Sequence, residues 1–485
     1  LIPLALLLAT AISPGLAEPE ADPTELPRIE PTEPGEALTT FRIRPGYQLT
    51  LAAHEPMVVD PIAMAFDGAS KMFVVEMRGY SERRDEQLGR IRLLYDDDGD
   101  GTFDRSTVFA RDLAWPTGVI AWKGGAFVIA SPDILHLADE DGDGVSDRRE
   151  VVFTGFGEGA KRLNVQALPN NLKWGSDGRI HGATAGNGGV VGAPGSGKRV
   201  NLRGQDFSFD PEERDLRAEN GGGQYGLCFD EWGRKFVCSN SNHIQAVIYP
   251  RRYAGEGLPQ ARVAVAADGP AAEVFRLSPD EPWRIVRTRW RVAKLVGGPI
   301  EGGGRVSGYF TAATGIGIYR GQAFIADAGS NLIHRKILHY PGVQPVAERP
   351  PEEVGTEFLA STDNWFRPVQ LMPGPDGALY VADMYREVIE HPWSLPASIK
   401  KHLDLNSGND RGRIYRIVPD GGVLDRPDPP PAELAEIIAT EELGVLDESA
   451  RRRLSAMAEH PSAAVRFQLA LTLGLREGDW RYAPL

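Results

Sequence analysis

A hairpin pattern that recurs six times constrains the fold of this chain more than any other sequence feature. Its clearest copy spans residues 366–391, where an apolar run is followed by Pro375, Asp376 and Gly377 and then by the alternating stretch 378–383. Pro presets φ, Asp hydrogen-bonds to nearby backbone and Gly accepts positive φ, so this tripeptide favours a tight turn between two strands. The related segments are 61–80, 116–135, 170–186, 224–244 and 314–334.

The hairpins are spaced at nearly regular intervals. The same apolar position recurs after 54, 53, 56, 88 and 56 residues, so one interval is stretched and the others are almost equal. The positions compared are Phe73, Phe127, Ile180, Phe236, Phe324 and Tyr380. A repeat of about 40–50 residues with several strands per unit is typical of a propeller blade. The pattern predicts an all-β fold, a six-bladed β-propeller over residues 41–424, whose last blade is completed by the alternating N-terminal stretch 41–52.

The net charge and the cysteine content limit which partners and cofactors this chain is expected to bind. The formal net charge is −14 at pH 7, whereas binding to phosphate backbones requires a basic surface, so we expect no nucleic-acid partner. The sequence has no Cys-x-x-Cys-His motif, and we therefore expect no haem attached to this chain. Cys228 and Cys238 flank the fourth hairpin turn. Their spacing leaves two alternatives open, a disulfide or two buried thiols.

The two ends of the chain differ in composition from the repeats. Residues 1–17 form an apolar run that ends in a small-x-small element, which predicts a signal peptide and an exported protein without a membrane span after processing. Residues 18–40 are rich in Pro and Glu and predict a disordered linker. After a Pro-rich linker at 425–431, residues 432–485 have helical periodicity and resemble the start of HEAT repeats. Because one such repeat cannot bury its own apolar face, we expect more repeats in the natural protein.

Two acidic loops have the residue spacing of calcium-binding loops. Each has Asp at alternate positions, Gly at the sixth position and Asp at the ninth, which lets one tight loop direct several carboxylates at one ion. Only the second loop has Glu at position twelve; Thr107 stands there in the first. An acidic turn exposed to solvent is the alternative for each. The candidate ligands are Asp96, Asp98, Asp100 and Asp104 in the first loop and Asp139, Asp141, Asp143, Asp147 and Glu150 in the second.

Two further features are candidates for a functional site. His243 lies just beyond the second strand of the fourth hairpin, and histidine is the side chain whose ordinary pKa is near neutrality, so we consider it for proton transfer. A structural, hydrogen-bonded histidine is the alternative. Within residues 283–292, Arg287, Arg289 and Arg291 alternate and predict one face of a strand. That row would either clamp an anionic cofactor or form the solvated face of an edge strand.

Several separate motifs resemble an exported family called membrane-bound dehydrogenases, or PVC-type haem-binding proteins. The motifs lie at 236–244, 281–292, 364–369, 383–392 and 408–417, and the resemblance spans about residues 41–419. Members of this family consist of a propeller, HEAT repeats and a cytochrome c domain. The resemblance implies that this chain corresponds to the propeller and the first HEAT segment, with a cytochrome c domain or protein as the electron acceptor.

A more distant resemblance is to the soluble glucose/sorbosone dehydrogenases. It rests on residues 73–78 and 89–91, which look like the first blade of those six-bladed quinoproteins. The resemblance implies oxidation of sugars with pyrroloquinoline quinone and calcium. One departure is clear: the third-blade segment 167–172 has no histidine where that family has its catalytic base.

Two functional hypotheses follow from these observations. In the first, the protein is an oxidoreductase that oxidises a sugar or alcohol and passes electrons to a c-type haem domain. His243 would take the hydroxyl proton, Arg78 or Arg386 would stabilise the developing charge, and Asp383 would lie beside them near the channel mouth. In the second, a non-catalytic propeller stabilised by calcium binds a glycan or a partner protein.

Overall fold

The protein is a six-bladed β-propeller. The computed structural model describes residues 18–68, 71–254, 260–421, 432–433, 436–437 and 448–474. The predicted signal peptide (1–17) and the Pro-rich linker (425–431) lie outside the described residues. Each of the six predicted hairpins supplies the two inner strands of one antiparallel sheet. The predicted fold class is therefore confirmed.

The N-terminal strands and the first three blades contain sixteen strands. The N-terminal strands are β1 (Phe41–Ile43) and β2 (Tyr47–His54). Blade 1 is β3 (Pro61–Asp67), β4 (Lys71–Glu76), β5 (Gly89–Tyr95) and β6 (Arg105–Leu113). Blade 2 begins with β7 (Pro116–Trp122), β8 (Gly125–Ala130), β9 (Asp133–Ala138) and β10 (Arg148–Phe156). Blade 3 begins with β11 (Asn170–Trp174) and β12 (Ile180–Ala183); β13 (Gly189–Gly192) and β14 (Val200–Asn201) extend blade 2. β15 (Asp206–Phe209) and β16 (Leu216–Glu219) complete blade 3.

Among the last three blades, one helix lies between blades 4 and 5 and another lies within blade 6. Blade 4 is β17 (Leu227–Phe229), β18 (Lys235–Val237), β19 (Gln245–Val247) and β20 (Arg262–Ala264), and helix α1 (Pro282–Val292) follows it. Blade 5 is β21 (Ala313–Tyr319), β22 (Gln322–Asp327), β23 (Leu332–His339), β24 (Val346–Glu348) and β25 (Leu359–Ser361). Blade 6 contains β26 (Pro368–Pro373), β27 (Leu379–Asp383), the short helix α2 (Ala397–Lys400) and β28 (Arg413–Pro419). The C-terminal helices are α3 (Glu448–Ala456) and α4 (Ala463–Gly474).

The ring is closed by the N-terminal strand. β2 pairs with β28 as the outermost strand of blade 6, with Leu49 opposite Ile417. β1 pairs with β25 and so ties the same N-terminal stretch to blade 5, with Arg42 opposite Ala360. The predicted N-terminal closing strand is confirmed. Because this segment joins two sheets, the first and last parts of the propeller are held together by backbone hydrogen bonds.

The repeated apolar position forms the core between blades. Its six side chains lie on the second strand of each blade and are at most 2% exposed. Rings from neighbouring blades meet edge to face, as Phe127 and Phe209 do at a centroid distance of 5.2 Å. Burial of one such side chain stabilises the fold by about 1.5–3 kcal/mol, so the repeat supplies core-forming groups at every blade.

The N-terminal segment 18–40 differs from its prediction as a disordered linker. It forms two 3₁₀ turns, Pro23–Glu25 and Pro34–Thr40, and lies against the propeller. Arg28 makes a bidentate ion pair with Glu387, and the Trp365 indole N–H donates to the carbonyl of Ile29 at 2.9 Å. A Pro- and Glu-rich composition favours disorder when a segment has nothing to bind. Here charged and aromatic side chains of the propeller bind the segment and hold it in one conformation.

Two more local predictions are settled by the structure. The stretch predicted as a strand with alternating arginines is instead helix α1, so the strand interpretation was wrong. Cys228 and Cys238 are buried free thiols, which decides between the two alternatives left open.

The C-terminal helices pack partly on the propeller. Gln468 of α4 donates to the Tyr253 hydroxyl at 2.7 Å, and Phe467 and Leu471 contact the apolar cluster around Tyr253. The assignment of this segment to HEAT repeats stays a prediction. Among the described residues, no helix has both the length and the apolar composition needed to cross a membrane.

Candidate functional site

A large cavity opens at one end of the propeller ring. Its volume is about 1150 Å³, and all six blades contribute to its walls. The lining residues come from the starts of the innermost strands, such as Ile62 and Thr117, and from the loops after the second strands, such as Met77 and Ala328. Loops that a rigid scaffold brings to a common point are where binding residues concentrate. This cavity is the candidate functional site.

Helix α1 forms one wall of the cavity and gives it positive charge. Arg284, Arg287 and Arg291 are three and four residues apart, so they share one helix face, and all three line the cavity. Trp283 and Trp290 pack away from it against Ala21 and Leu26 of the N-terminal segment. The chain as a whole has a strongly negative net charge, whereas this wall carries positive charge. The wall therefore favours an anionic ligand.

The arginine wall is only partly neutralised. Arg287 donates to Glu390 at 2.6 Å, and Arg291 donates to the carbonyl of Ser394 at 3.0 Å. The Nε atoms of Arg287 and Arg291 are buried and make no hydrogen bond. Burial and the neighbouring charge of Arg287 lower the pKa of Arg291. A bound anion would supply both the missing acceptors and the missing charge.

A buried carboxylate anchors this helix at its N-terminal end. Glu281 lies within 3.4 Å of the guanidinium groups of Arg276, Arg284 and Arg367, and it is fully buried. Burial raises its pKa, but the three positive charges outweigh that effect and lower the pKa to about 2. Glu281 is thus ionised and holds Arg284 in place on the cavity wall.

Glu390 and His391 lie in the cavity wall beside this helix. Burial raises the pKa of Glu390, and the charges of Arg287 and Arg284 lower it further than burial raises it, so the carboxylate is ionised. Burial lowers the pKa of His391, so its ring is neutral at neutral pH. The Nδ1 atom of His391 accepts from the Trp393 backbone N–H at 3.1 Å. The ring proton therefore resides on Nε2, which has no partner and is free to donate to a ligand.

Polar side chains also line the centre of the ring. The Gln166 amide donates to the Tyr80 hydroxyl at 2.8 Å, and both residues line the cavity. Gln370 donates to Asn171, whose own amide donates to Asn170 at 2.7 Å. Gln370 lies on β26 and both asparagines lie on β11, so these amides hydrogen-bond across two innermost strands. Their polar groups are therefore already paired with one another.

None of the four predicted catalytic residues, His243, Arg78, Asp383 and Arg386, is among the residues that line the cavity. His243 is fully buried and stacked on Phe310, with ring centroids 4.3 Å apart. Arg78 is half-buried and reaches the carbonyl of Asn409 at 3.4 Å. Arg78 and Arg386 are thus both close enough to Asp60 to act on its charge, whereas His243 lies apart from them in blade 4.

Asp383 and Arg386 hold the blade-6 loop in place. Asp383 accepts from the backbone N–H groups of Arg367 and Tyr385 at 2.7 and 2.9 Å, and burial raises its pKa to about 8. Arg386 forms a bidentate, fully buried ion pair with Asp60 at the start of blade 1. Both contacts connect structural elements, and neither residue lines the cavity.

The two acidic loops have the predicted backbone shape. In the first loop both carboxylate oxygens of Asp96 accept backbone N–H groups, one of them from Gly101, which has φ of 87°. Asp139 and Gly144 repeat this arrangement in the second loop. Positive φ at the sixth position requires glycine, as the spacing implied.

The oxygen atoms of six of the nine predicted calcium ligands are close together. Within each loop, three carboxylates have oxygens within 4.8 Å of one another; these are Asp96, Asp98 and Asp104, and Asp139, Asp141 and Asp147. Asp100 and Asp143 instead accept backbone N–H groups inside their loops. Glu150 lies outside the second group and forms an ion pair with Arg214. Such spacing fits the hard oxygen ligands of calcium, and calcium binding stays a prediction for both loops.

The fold and the cavity together define the class of protein: a six-bladed β-propeller with an arginine-lined cavity that opens at one end of its ring. The chain belongs to the family described as Domain of unknown function (DUF7133), whose model matches residues 33–421. That match covers all six blades and the helix that supplies the arginines. A search of curated proteins finds no match to this sequence.

Solved structures with some likeness include two sugar dehydrogenases. The pyranose dehydrogenase PQQ domain from Coprinopsis cinerea is 12% identical with a TM-score of 0.43, covering 81% of this chain and 98% of that one. The PQQ-bound aldose sugar dehydrogenase from Streptomyces coelicolor is 14% identical with a TM-score of 0.40, covering 78% and 100%. A luciferin-regenerating enzyme is 12% identical with a TM-score of 0.44, covering 78% and 96%. At these values the likeness carries no argument about activity.

The sequence pointed to part of this site and missed the rest. Arg287 and Arg291 were predicted as an anion clamp, one of two alternatives, but on a strand rather than a helix. Arg284 and Glu390 were not predicted. Pro282 at the first helical position is a signal that could have revealed the helix and hence the shared face. Nothing local in the sequence distinguishes His391 from other loop histidines.

Proposed function

We propose that this protein is a propeller oxidoreductase that oxidises a sugar or alcohol in the central cavity with an anionic redox cofactor. The observation that carries the proposal is the row of Arg284, Arg287 and Arg291 in the wall of a cavity of about 1150 Å³. Such a row favours carboxylate groups, and the volume accommodates a cofactor beside a small substrate.

The residues present fit pyrroloquinoline quinone, the cofactor implied by the sequence resemblance. Its carboxylates match the cationic wall, and the buried, unpaired Nε atoms of Arg287 and Arg291 are suitable donors. The cofactor would supply a two-electron acceptor for oxidation of the substrate. Arg284, Arg287 and Arg291 would hold it.

The chain itself would handle the proton of the substrate hydroxyl. Glu390 is ionised and lines the cavity, so we assign it the role of proton acceptor. His391 would donate from Nε2 to the substrate oxygen and orient it, since its Nδ1 is occupied by the Trp393 N–H. Tyr80 and Gln166 would hydrogen-bond to further hydroxyl groups of a sugar.

The sequence resemblance to PVC-type haem-binding proteins supports two further parts of the proposal. The electrons would pass to a c-type haem domain or protein, and the protein would act after export. Mixing the protein with cofactor, substrate and a cytochrome c tests the first part by haem reduction. Cell fractionation tests the second.

The principal test combines cofactor binding with turnover. The protein is incubated with calcium and pyrroloquinoline quinone, and binding is measured by quenching of tryptophan fluorescence. Arg291→Ala should abolish binding, whereas Arg289→Ala should retain it, because Arg289 lies on the same helix but points outward to Glu25. Dye reduction is then measured with a panel of sugars and alcohols. Absence of both binding and dye reduction for the wild type would refute the proposal.

One observation favours a second function, the binding of a glycan without catalysis. Trp393 lies on the cavity rim, is 45% exposed and has the Arg162 guanidinium 4.2 Å from its ring centroid. An exposed indole face is suited to stacking on a sugar ring. The third-blade segment also lacks the histidine base of the quinoproteins. Glycan-array binding that Trp393→Ala removes, without dye reduction, would support this function over the oxidoreductase.

A further inference from the structure

Two buried histidines and a carboxylate meet between blades 4 and 5, outside the cavity. His243 follows β18 of blade 4, Asp268 follows β20 of the same blade, and His334 lies on β23 of blade 5. One ligand atom from each residue lies within 4.8 Å of the other two. None of the three lines the central cavity. The cluster is therefore separate from the site described above.

The ring nitrogens that face this point have no hydrogen-bond partners. His243 and His334 are fully buried. Neither nitrogen of His243 makes a hydrogen bond of normal geometry, and Nε2 of His334 makes none. Buried polar atoms without partners are rare and unfavourable, so their convergence calls for a ligand that accepts two imidazole lone pairs.

The protonation state of His334 is fixed by its other nitrogen. Nδ1 lies 2.6 Å from the Glu357 carboxylate and donates its proton there, which leaves a lone pair on Nε2. Glu357 is itself held by the Phe275 N–H at 3.0 Å and by Arg349 at 3.2 Å. A carboxylate behind a histidine in this way is the usual support of a metal-binding imidazole.

The ring plane of His243 is fixed as well. It stacks on Phe310 with ring centroids 4.3 Å apart and an interplanar angle of 4°. Its Nε2 lies 3.9 Å from Oδ1 of Asp268. The two imidazoles are thus oriented before any ligand binds.

Asp268 supplies the third ligand atom and a route to solvent. Its Oδ2 accepts from Lys336 at 2.6 Å, which leaves Oδ1 for a single-oxygen contact. Its side chain is 36% exposed, so water can reach the cluster and occupy a fourth position. The positive charge of Lys336 is balanced by Asp268, and that of Arg349 by Glu357, so the pocket is close to neutral before a cation enters.

We propose that His243, His334 and Asp268 form a site for a divalent transition-metal ion, with zinc as the best match. Two imidazole nitrogens, one carboxylate oxygen and a water make up the tetrahedral set that zinc prefers. Such an ion would join blade 4 to blade 5. Blade 4 consists of four strands of only three residues each, so it is where a cross-link adds most.

Zinc binding to the full chain tests the site. Protein stripped of metal is titrated with zinc chloride by calorimetry, with millimolar calcium present so that the acidic loops do not compete. We expect one zinc per chain, and a rise in Tm of about 3 °C when zinc is roughly 100-fold above its Kd. Cobalt in place of zinc should give the visible absorption bands of a tetrahedral site.

Variants distinguish this site from general histidine binding. His334→Gln and Asp268→Asn should each weaken zinc binding by at least about 100-fold, and Glu357→Gln by about 10–100-fold. The control is His136→Gln, because His136 is also buried with unpaired ring nitrogens but belongs to no such group of ligand atoms in the part of the chain that the structure describes. Asp268 is partly exposed, so its variant keeps the test valid if a histidine variant fails to fold. No zinc uptake by the wild type, or unchanged uptake in Asp268→Asn, would overturn the proposal.

Discussion

Replacement of Glu281 by Gln tests whether the arginine wall is held by one buried carboxylate. The substitution keeps the shape of the side chain but removes the negative charge that Arg276, Arg284 and Arg367 share. Removal of one partner from a buried ion pair costs about 3–5 kcal/mol, because the remaining charges stay buried without compensation. We therefore expect a large loss of stability from this single change.

The pKa of Glu281 also gives the size of the free energy by which its ionised form stabilises the folded protein. Its ordinary value is 4.5 and its value in the folded protein is about 2, which corresponds to roughly 3 kcal/mol of stabilisation by the ionised form. Because the folded-state pKa is the lower one, this stabilisation is present above pH 4.5 and is lost as the pH falls towards 2. Both considerations therefore give a stabilisation by Glu281 of about 3 kcal/mol or slightly more.

The assay is thermal unfolding of the wild type and the variant across this pH range. With an unfolding entropy of about 2.1 cal/mol/K per residue over about 390 residues, 3–5 kcal/mol lowers Tm by about 4–6 °C at pH 7. The difference should shrink as the pH falls from 4.5 towards 2. Glu86→Gln serves as control, because Glu86 pairs with Arg83 on the surface and should change Tm by about 1 °C or less. A Glu281→Gln variant within about 1 °C of the wild type at pH 7 would refute the reasoning.

Three further predictions concern other parts of the chain. Removal of calcium by a chelator should lower Tm, and Asp139→Asn should reproduce part of the loss; an unchanged Tm would contradict calcium binding by the acidic loops. Cys228 and Cys238 should react with a thiol reagent only after unfolding, since both are buried and free, and fewer than two reactive thiols in the unfolded chain would contradict this. Glu387→Gln should speed tryptic cleavage after Arg28, because it breaks the bidentate contact that holds the N-terminal segment, whereas equal cleavage rates would show that other contacts suffice.

The fold was predictable because its signal is repeated. Each blade carries the same apolar position and a turn such as Asp376-Gly377, so an error in one copy is corrected by the other five. The alternation in β2 likewise identified the closing strand. Because every blade buries similar strands in similar surroundings, the local sequence pattern of each blade is enough to predict the propeller fold.

The site was less predictable because it depends on contacts between distant segments. Arg287, Arg289 and Arg291 alternate as they would in a strand. Only the spacing of Arg284, Arg287 and Arg291, which are three and four residues apart, reveals that they share one face of a helix. The N-terminal segment has the composition of a disordered linker, yet Glu387, more than 350 residues away, holds it in place. His243 has the residue type expected of a base, but burial against Phe310 removes it from the cavity. In each case, contacts with residues distant in sequence determined the structure that the local sequence did not predict.

The pairing of β2 with β28 also has a consequence for biosynthesis. Its two strands lie near opposite ends of the propeller, so β2 leaves the ribosome about 360 residues before its partner. At about 5–20 residues per second, that strand waits roughly 20–70 s with an open edge. The ring therefore cannot close until nearly the whole propeller has been made. During this interval the unpaired edge of β2 is exposed to pairing with a neighbouring copy of the chain, and a chaperone that covered it would prevent that pairing.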